Sequence, residues 1–478
     1  MKIVTSIAPR SMKEALSLLR SIRASSDPGD LVEVRVDRLR GLDLKRLLRH
    51  PRPRMIITNR PASEGGYFTG SPGARLKTLF DALRLGAEYA DIELRAGPAV
   101  IRKLRNASSG GRLIVSYHDT RTTPGDLKPA MKRLLASPGD ICKLVTTAED
   151  ISDNRKVFDL LERSRRRGRR ITVFCMGGAG EISRILGGKF GAELTYAASA
   201  PGVATAPGQL TTAELEKIYR VRAINRRSKI FGLIGNPVSH SKGYLFHNAR
   251  FARSGLNAVY VNFLVEDLAG FLASFGDLIS GLSVTMPFKE QIIPHLDSVS
   301  EEASTLRSVN TVLRKRGKLL GFNTDYPAVR SILRNGRSMR GRRALVLGTG
   351  PTSRSMALAA IESGASATIV GRSRAKAEDA ARRLACSWAS FGDLADLGAD
   401  ILMNGTPVGM APDVSSSPYS KRWLRRGMTV LDAVYDPPLT LLLRDAKARG
   451  CTVISGLELF RHQALLQSKM FTDGVFRK

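Results

Sequence analysis

Charged and hydroxyl side chains interrupt the apolar, strand-like runs of residues 1–200 at places where burial is costly. Glu33, Arg35 and Asp37 punctuate LVEVRVD; Thr58 and Arg60 close RMIITNR; Asp91 and Glu93 sit in YADIEL. Tyr117, His118 and Asp119 end RLIVSYHD, and Lys143 lies within ICKLVTT. A charged group in a sheet covered on both faces needs a partner or a task. One such residue means little, but several on one rim mark a site. The chemistry open to this set is proton transfer by a histidine and attack on a ketone by a lysine that, held among cations and partly desolvated, gives up its proton. A second stretch, GRRALVLGTGPTSRSMALAAIESG from residue 341, reads as strand, glycine turn and helix. That geometry puts a phosphate on a helix N-terminus.

The elements that must position these residues follow a simple rhythm. Eight apolar runs, KIVTSIA, LVEVRVD, RMIITNR, YADIEL, RLIVSYHD, ICKLVTT, RITVFCMG and ELTYAAS, alternate with segments of helical periodicity. Repeated strand–helix units of this kind predict a parallel sheet. Eight of them predict a (β/α)8 TIM barrel, with a doubly wound open sheet as the alternative, and a barrel enzyme does its chemistry at the C-terminal ends of its strands. After TTAELEKIYRV, the polar, basic AINRRSK leads to a new strand, KIFGLIG, at Lys229. The expected domains are 1–222, 229–335 completed by 458–478, and 336–457, the last a Rossmann lobe.

Composition narrows the class. At 478 residues with 43% apolar content, the chain is long enough for two to four soluble α/β domains. MKIVTSIAPR alternates like a strand, and no run approaches ~18 apolar residues, so the expectation is a cytoplasmic protein with no membrane partner. The four cysteines form no CxxC or Cys/His cluster, so neither a disulfide nor a metal is expected. The formal charge of +32 raises the rival reading of a basic, polyanion-binding protein on degenerate enzyme folds. The basic residues are dispersed, and no nucleic-acid recognition motif accompanies the densest cluster, RSRRRGRR.

Over about residues 1–220 the sequence resembles the type I 3-dehydroquinate dehydratases. The resemblance rests on ExRxD at 33–37, TxR at 58–60, EGG at Glu64, SYHD around His118, Lys143, MGGAGEISR ending in Arg184, and APGQ ending in Gln209. It implies Lys143 as the Schiff-base lysine, His118 as the proton-transfer group and Glu64 as the residue that orients or tunes it. It also implies Arg184 as the clamp on the substrate carboxylate. Glu33, Arg35, Arg60, Thr205 and Gln209 would bind hydroxyls or position the lysine. The family's SAPGQ reads TAPGQ here, and an earlier SAPG occupies residues 199–202. The lid is assigned to the second copy, which alone supplies the glutamine.

From about residue 229 the chain resembles shikimate dehydrogenases, through GNPVSHSKGYLFHN, SVTMPFKE, VNT, NTD, NGTPVGM, DAVYDPPLT and GLELFRHQA in order. This resemblance implies Lys289 and Asp325 as the catalytic pair. Asn310, Thr285, Tyr435 and Gln463 would lie on the substrate, with Ser239 or Ser241 near its carboxylate. The cofactor would lie on Gly348, Gly350, Thr352, Ser353 and Thr406. Arg372, Ser373 and Arg374 follow the second strand of the nucleotide lobe, where a carboxylate would bind a ribose diol; Arg372 there suits a 2′-phosphate, so NADP is expected over NAD. The family's SxS pair is Ser241 and Gly243 here, and the asparagine before VT is Ser283. Gly243 removes a donor and leaves room for the C1 hydroxyl of quinate, so a quinate/shikimate dehydrogenase is the alternative for this half. The expected small molecules are 3-dehydroquinate, 3-dehydroshikimate and shikimate; the assembly state is open, a homodimer included.

Overall fold

The structure, a computed structural model, describes all residues except 50, 108–109, 167, 239–240, 335–337 and 474–478. Each of the eight apolar runs forms a strand: β1 (Lys2–Ile7), β2 (Leu31–Arg35), β3 (Met55–Thr58), β4 (Tyr89–Glu93), β5 (Arg112–His118), β6 (Ile141–Thr147), β7 (Ile171–Met176) and β8 (Leu194–Ala198). They pair in the order β7-β6-β5-β4-β3-β2-β1-β8. The barrel is nearly closed. Between β7 and β8 the Glu193 N–H reaches the Ile171 carbonyl at 2.8 Å, while the Leu194 N–H is taken by the Thr172 hydroxyl at 3.0 Å, where a continuous ladder would use a main-chain oxygen.

Alternation sorts the strand residues. Val4, Leu31, Ile56, Tyr89, Ile114, Ile141 and Leu194 share one apolar cluster. Further along the same strands come Glu33, Asp91, Glu93, Ser116 and Lys143, also buried. Ser116 is in register with both Glu93 and Lys143. The helices between strands start on conventional caps: Ser11 accepts from the Glu14 N–H, and Ser71 from the Ala74 N–H, with Pro72 in the first turn.

By its internal contacts the chain forms two compact units: Met1–Ile230 with Val238–His240 and Phe251–Leu278, and Phe231–Pro237 with Ser241–Arg250 and Ile279–Lys478. Within the first unit, the Phe158 ring stacks on Phe190 at 4.3 Å and meets Phe275 edge-on at 6.4 Å. Beside them Arg155 donates to Asp277 at 2.6 Å.

Two further sheets follow. One joins β9 (Lys229–Gly235), β10 (Ala258–Leu264), β11 (Ile279–Val284), β12 (Ser298–Val299), β13 (Thr311–Lys315) and β14 (Lys318–Phe322) in the order β10-β9-β11-β13-β14-β12. The antiparallel β13–β14 hairpin turns on Arg316 and Gly317, both at positive φ, as a primed two-residue turn requires. The other sheet is parallel: β15 (Arg343–Leu347), β16 (Ser366–Gly371), β17 (Ser387–Ser390), β18 (Ile401–Asn404), β19 (Thr429–Asp432) and β20 (Thr452–Ile454), ordered β17-β16-β15-β18-β19-β20. The order reverses between β15 and β18, the switch point at which Rossmann sheets bind nucleotides. No described helix is long and apolar enough to cross a membrane.

Phe158 is fully buried, so Phe158→Ala is expected to cost about 3–5 kcal/mol. Residual dehydratase activity followed against urea should be lost at a lower midpoint, and an unchanged midpoint would contradict the packing argument.

Two candidate active sites

The polar layer of the barrel is an ion-pair network. Arg60 donates to Asp91 at 2.8 Å, Glu93 at 2.9 Å and Ser116 at 2.8 Å. Ser116 donates to Asp91 at 2.6 Å. Lys143, 4% exposed, places Nζ 3.1 Å from Asp91 and 3.8 Å from Glu33 and 3.9 Å from the centre of the Tyr196 ring. Glu33 is itself oriented by donors from Ser6 and Thr58 at 2.8 and 2.9 Å. The lysine therefore sits between carboxylates, not among the cations that the sequence leads one to expect around it. Arg60 spends its guanidinium on Asp91 and Glu93, which neutralises those carboxylates instead of pressing on the amine.

His118 Nδ1 lies 3.1 Å from Glu64 Oε2. Burial, then the Arg60 and Lys143 charges, hold the imidazole well below its ordinary range, so the ring is neutral. Burial pushes the Glu64 carboxyl up to about 7, Arg60 opposing it and Glu93 adding to it. Arg35 forks onto Asp37 through two bonds of 2.8 Å.

Arg184 is 1% exposed. Its Nη1 and Nη2 donate to the Tyr196 and Pro207 carbonyls at 3.2 and 3.4 Å. No carboxylate pairs with it among the described residues, and its Nε and the Tyr196 hydroxyl have no hydrogen-bond partner there. Desolvation pulls the guanidinium down to about 10. Lys143, His118, Glu64, Arg184, Thr205 and Gln209 line one cavity of about 270 Å³. The lid copy at 205–209 is the one on the cavity: Gln209 Oε1 accepts from the Thr205 N–H at 2.7 Å and the Ala206 N–H at 3.3 Å. Gly208 packs so closely on the 177–180 turn that a Cβ would stand 2.2 Å from the Gly177 carbonyl oxygen. Residues 200–202 are exposed.

In the second unit, Lys289 Nζ meets Asp325 Oδ2 at 2.5 Å. Lys289 lies in the short helix Phe288–Gln291 and Asp325 opens the helix Asp325–Arg334. The Thr285 N–H is held by the Ile234 carbonyl at 3.0 Å. Asn310 Oδ1 accepts from the Thr324 N–H at 2.8 Å and from the Thr311 hydroxyl at 2.8 Å. Ser241 accepts from the Gly243 N–H at 3.3 Å; Ser239 lies outside the described residues. Tyr435 is half-buried with its ring 5.9 Å from that of Phe460, and Gln463 is half-buried on the C-terminal helix.

The nucleotide turn is shaped by close approach. At Gly348, φ +102, a Cβ would meet Ser353 Oγ at 2.6 Å, and at Gly405 it would meet the same atom at 2.3 Å. Ser353 at the third fingerprint position is accommodated because its hydroxyl donates to the Leu347 carbonyl at 3.2 Å. The helix Pro351–Glu362 starts here, with Thr352 half-buried in its first turn. Asn404 Oδ1 accepts both the N–H and the hydroxyl of Thr406, at 3.0 and 2.6 Å. Arg372 and Ser373 are exposed after β16. Arg374 is committed to Glu378 at 2.9 Å and to the Trp388 ring, which leaves Arg372 as the better placed cation. A glycine cradle, a helix N-terminus and an arginine past the second strand fit NADP. Among the described residues no His, Cys, Asp and Glu group could hold a metal.

Residues 3–226 match the family described as Type I 3-dehydroquinase. Residues 233–312 match the shikimate dehydrogenase substrate binding domain. Over 483 aligned residues the chain is 34% identical to the bifunctional 3-dehydroquinate dehydratase/shikimate dehydrogenase of Arabidopsis thaliana, covering 95% of this chain and 79% of that protein. The chain belongs to this bifunctional family. It joins a type I dehydroquinase, a lyase, to an NADP-dependent shikimate dehydrogenase, an oxidoreductase, within the shikimate pathway. The shikimate biosynthesis protein AroDE of Chlamydia pneumoniae is 30% identical, with 92% of this chain and 89% of that protein covered. A shikimate dehydrogenase (NADP(+)) of Pyrococcus abyssi is 39% identical over 52% of this chain and 93% of its own.

Several residues that hold this bifunctional enzyme's sites carry no sequence signal of their own. Arg75, on the helix Pro72–Arg84, reaches into the barrel to Glu93 and to the Asn59 carbonyl. Tyr196 lies beneath Lys143. Gln467 donates to the Asn310 carbonyl and the Thr311 hydroxyl, both at 2.9 Å. Arg75 and Gln467 sit on helices among other polar residues, where nothing but the fold says which one turns inward.

The Glu64–His118 contact fixes a pH dependence. Below about 7 the Glu64 carboxyl is protonated and donates to Nδ1, so the imidazole proton resides on Nε2. Above it the carboxylate accepts the Nδ1–H, which leaves the Nε2 lone pair available to a base role. Dehydratase kcat should therefore rise through an apparent pKa near 7 and lose that limb in Glu64→Gln. Enone absorbance measured from pH 5.5 to 9 tests this; a flat wild-type profile would count against the tautomer argument.

Proposed function

We propose that residues 1–222 dehydrate 3-dehydroquinate through an iminium on Lys143, and that residues 229–335 with 458–478 and residues 336–457 then reduce 3-dehydroshikimate. The observation that carries the first half is Lys143 in one cavity with His118 and a buried Arg184 that lacks a carboxylate partner. The substrate's carboxylate would supply the anion that Arg184 lacks. The Lys143 ammonium passes one proton to the ketone oxygen as its nitrogen adds to the carbon, a second nitrogen proton follows, and the oxygen leaves as water. The resulting iminium is a cation between Asp91 and Glu33, as the ammonium was, so the network stays balanced. The iminium acidifies the neighbouring C–H, and His118 takes that proton. The same proton then goes to the departing hydroxyl, which leaves as a second water. Hydrolysis of the iminium returns one water, frees the enone and restores Lys143.

In the second half, NADPH would be held by Gly348, Gly350, Thr352, Ser353 and Thr406, with its 2′-phosphate on Arg372, and supplies a hydride when bound. Lys289, held by Asp325, would deliver the proton that the alkoxide needs. Asn310, with Oδ1 engaged by Thr324, offers Nδ2 to a ring hydroxyl. Ser241, Thr285, Tyr435 and Gln463 complete the pocket, and we take shikimate as preferred over quinate because Thr285 and Ser241 are retained. We further place the enzyme in the cytoplasm, where its four unpaired cysteines would stay reduced, acting on small molecules without a nucleic-acid or membrane partner.

Lys143→Ala should lower dehydration by more than about a thousandfold while NADP-dependent shikimate oxidation continues. Borohydride with dehydroquinate should add ligand mass to the wild-type peptide bearing Lys143. An adduct on another lysine, or dehydration at the wild-type rate by the variant, would overturn the assignment. Arg372→Ala should raise KM for NADPH by about tenfold or more, the loss of one charge-assisted bond, and leave KM for NADH unchanged. Parallel changes for the two coenzymes would remove Arg372 from the 2′-phosphate site.

A further inference from the structure

Arg354 stands in the first turns of the helix Pro351–Glu362, on the glycine-turn side of the nucleotide lobe. Its side chain is 11% exposed, and every arm of the guanidinium is engaged. Nε donates to the Leu306 carbonyl at 2.8 Å and Nη1 to the Thr349 carbonyl at 3.1 Å. Nη2 donates to the Arg307 carbonyl at 3.3 Å and to Glu290 at 2.6 Å. One side chain thus ties together three separate segments.

The identity of those segments matters. Thr349 is the residue between Gly348 and Gly350. Leu306 and Arg307 end the helix Glu301–Thr305, and Arg307 has φ +44, a conformation a non-glycine residue adopts only when its surroundings hold it there. Two residues on, the Val309 N–H donates to the carbonyl of Lys289 at 2.8 Å, and Asn310 follows. Glu290 is the neighbour of Lys289. Arg354 therefore grips the lysine's segment by two routes, through Glu290 and through the 306–309 turn, while its third contact is the cofactor turn.

We infer that Arg354 is a positioning residue of the dehydrogenase, a strut that sets the spacing between the glycine turn and the segment bearing Lys289. This rests on the roles proposed above for those two features. A planar fork with five donors can hold three carbonyls and a carboxylate in fixed directions; a lysine cannot. The Glu290 pair alone, with that carboxylate 44% exposed, would be a weak tether. The three carbonyl bonds make the connection stiff. Loss of the strut should misplace hydride and proton donors relative to each other without removing either binding surface.

The test uses the full chain carrying Arg354→Met, Arg354→Lys or Glu290→Gln, with the thermal unfolding transition of the dehydrogenase half as the folding control. Arg354→Met should lower kcat for shikimate oxidation by roughly tenfold to a hundredfold and leave the separate Kd values of NADP+ and shikimate within about twofold. The primary deuterium isotope effect, with shikimate labelled at the oxidised carbon, should rise as hydride transfer becomes limiting. Arg354→Lys and Glu290→Gln should shift kcat and isotope effect the same way by less, and they carry the test if the methionine variant does not fold. Unchanged kcat and isotope effect in a folded Arg354→Lys would overturn the strut, as would a fall in kcat matched by weaker NADP+ binding. Lys289→Ala assayed alongside separates the two levels. Full oxidation by that variant sinks the catalytic assignment itself, whereas its inactivity beside an unaffected Arg354→Lys sinks only the strut.

Discussion

Asp91 has no solvent exposure, and its carboxylate is shared by Arg60, Ser116 and Lys143. An isolated carboxylate at such depth would cost several kcal/mol. Here burial acts against the anion, but Arg60, then Lys143, hold its carboxyl well below the usual range. The balance extends outward: Glu93 takes Arg60 and Arg75, and Glu33 faces Lys143. Arg60, Arg75 and Lys143 set against Asp91, Glu93 and Glu33 leave the polar layer neutral before any ligand enters. A substrate that brings its own carboxylate therefore needs its own cation, and Arg184, buried without one, is the group the network does not consume.

The two lysines sit in different surroundings, and the roles proposed for them differ accordingly. Lys143 is enclosed, beside an aromatic ring and between two carboxylates, and the iminium proposed for it would place its positive charge between those carboxylates. Lys289 meets a single carboxylate on a helix N-terminus and is partly open. Enclosure suits covalent chemistry, and exposure suits proton turnover.

How far the sequence was legible follows the same physics. Strand alternation, glycine turns and ordered motifs are local, and they located the eight strands and the nucleotide turn; they also picked out Lys143, His118 and Glu64, which line one cavity, and Lys289 and Asp325, which form an ion pair. The expectation that failed was electrostatic: a lysine held among cations was expected, but neighbouring strands deliver Asp91 and Glu33 to Lys143 instead. Arg75, Gln467 and Arg354 act through contacts with residues 18, 157 and 64 positions away. Nothing in a window of sequence distinguishes such a side chain from a solvated one on the same helix.

Departures from a motif also need the fold to be interpreted. Ser283 stands where the resemblance leads one to expect asparagine, and a shorter side chain there should leave a gap or an unpaired group. Instead its hydroxyl, 5% exposed, donates to Gln467 Oε1 at 2.8 Å, and the amide end of Gln467 secures the Asn310 carbonyl that the Val284 N–H also holds. The C-terminal helix thus gives the Ser283 hydroxyl a partner and, through the same side chain, holds Asn310. Gly243 has no side chain to replace the lost donor; its own N–H binds the Ser241 hydroxyl. The change at 283 is therefore absorbed by the scaffold. The change at 243 falls on Ser241, which in the role proposed for it would meet the substrate's carboxylate end with one hydroxyl where the family pattern has two.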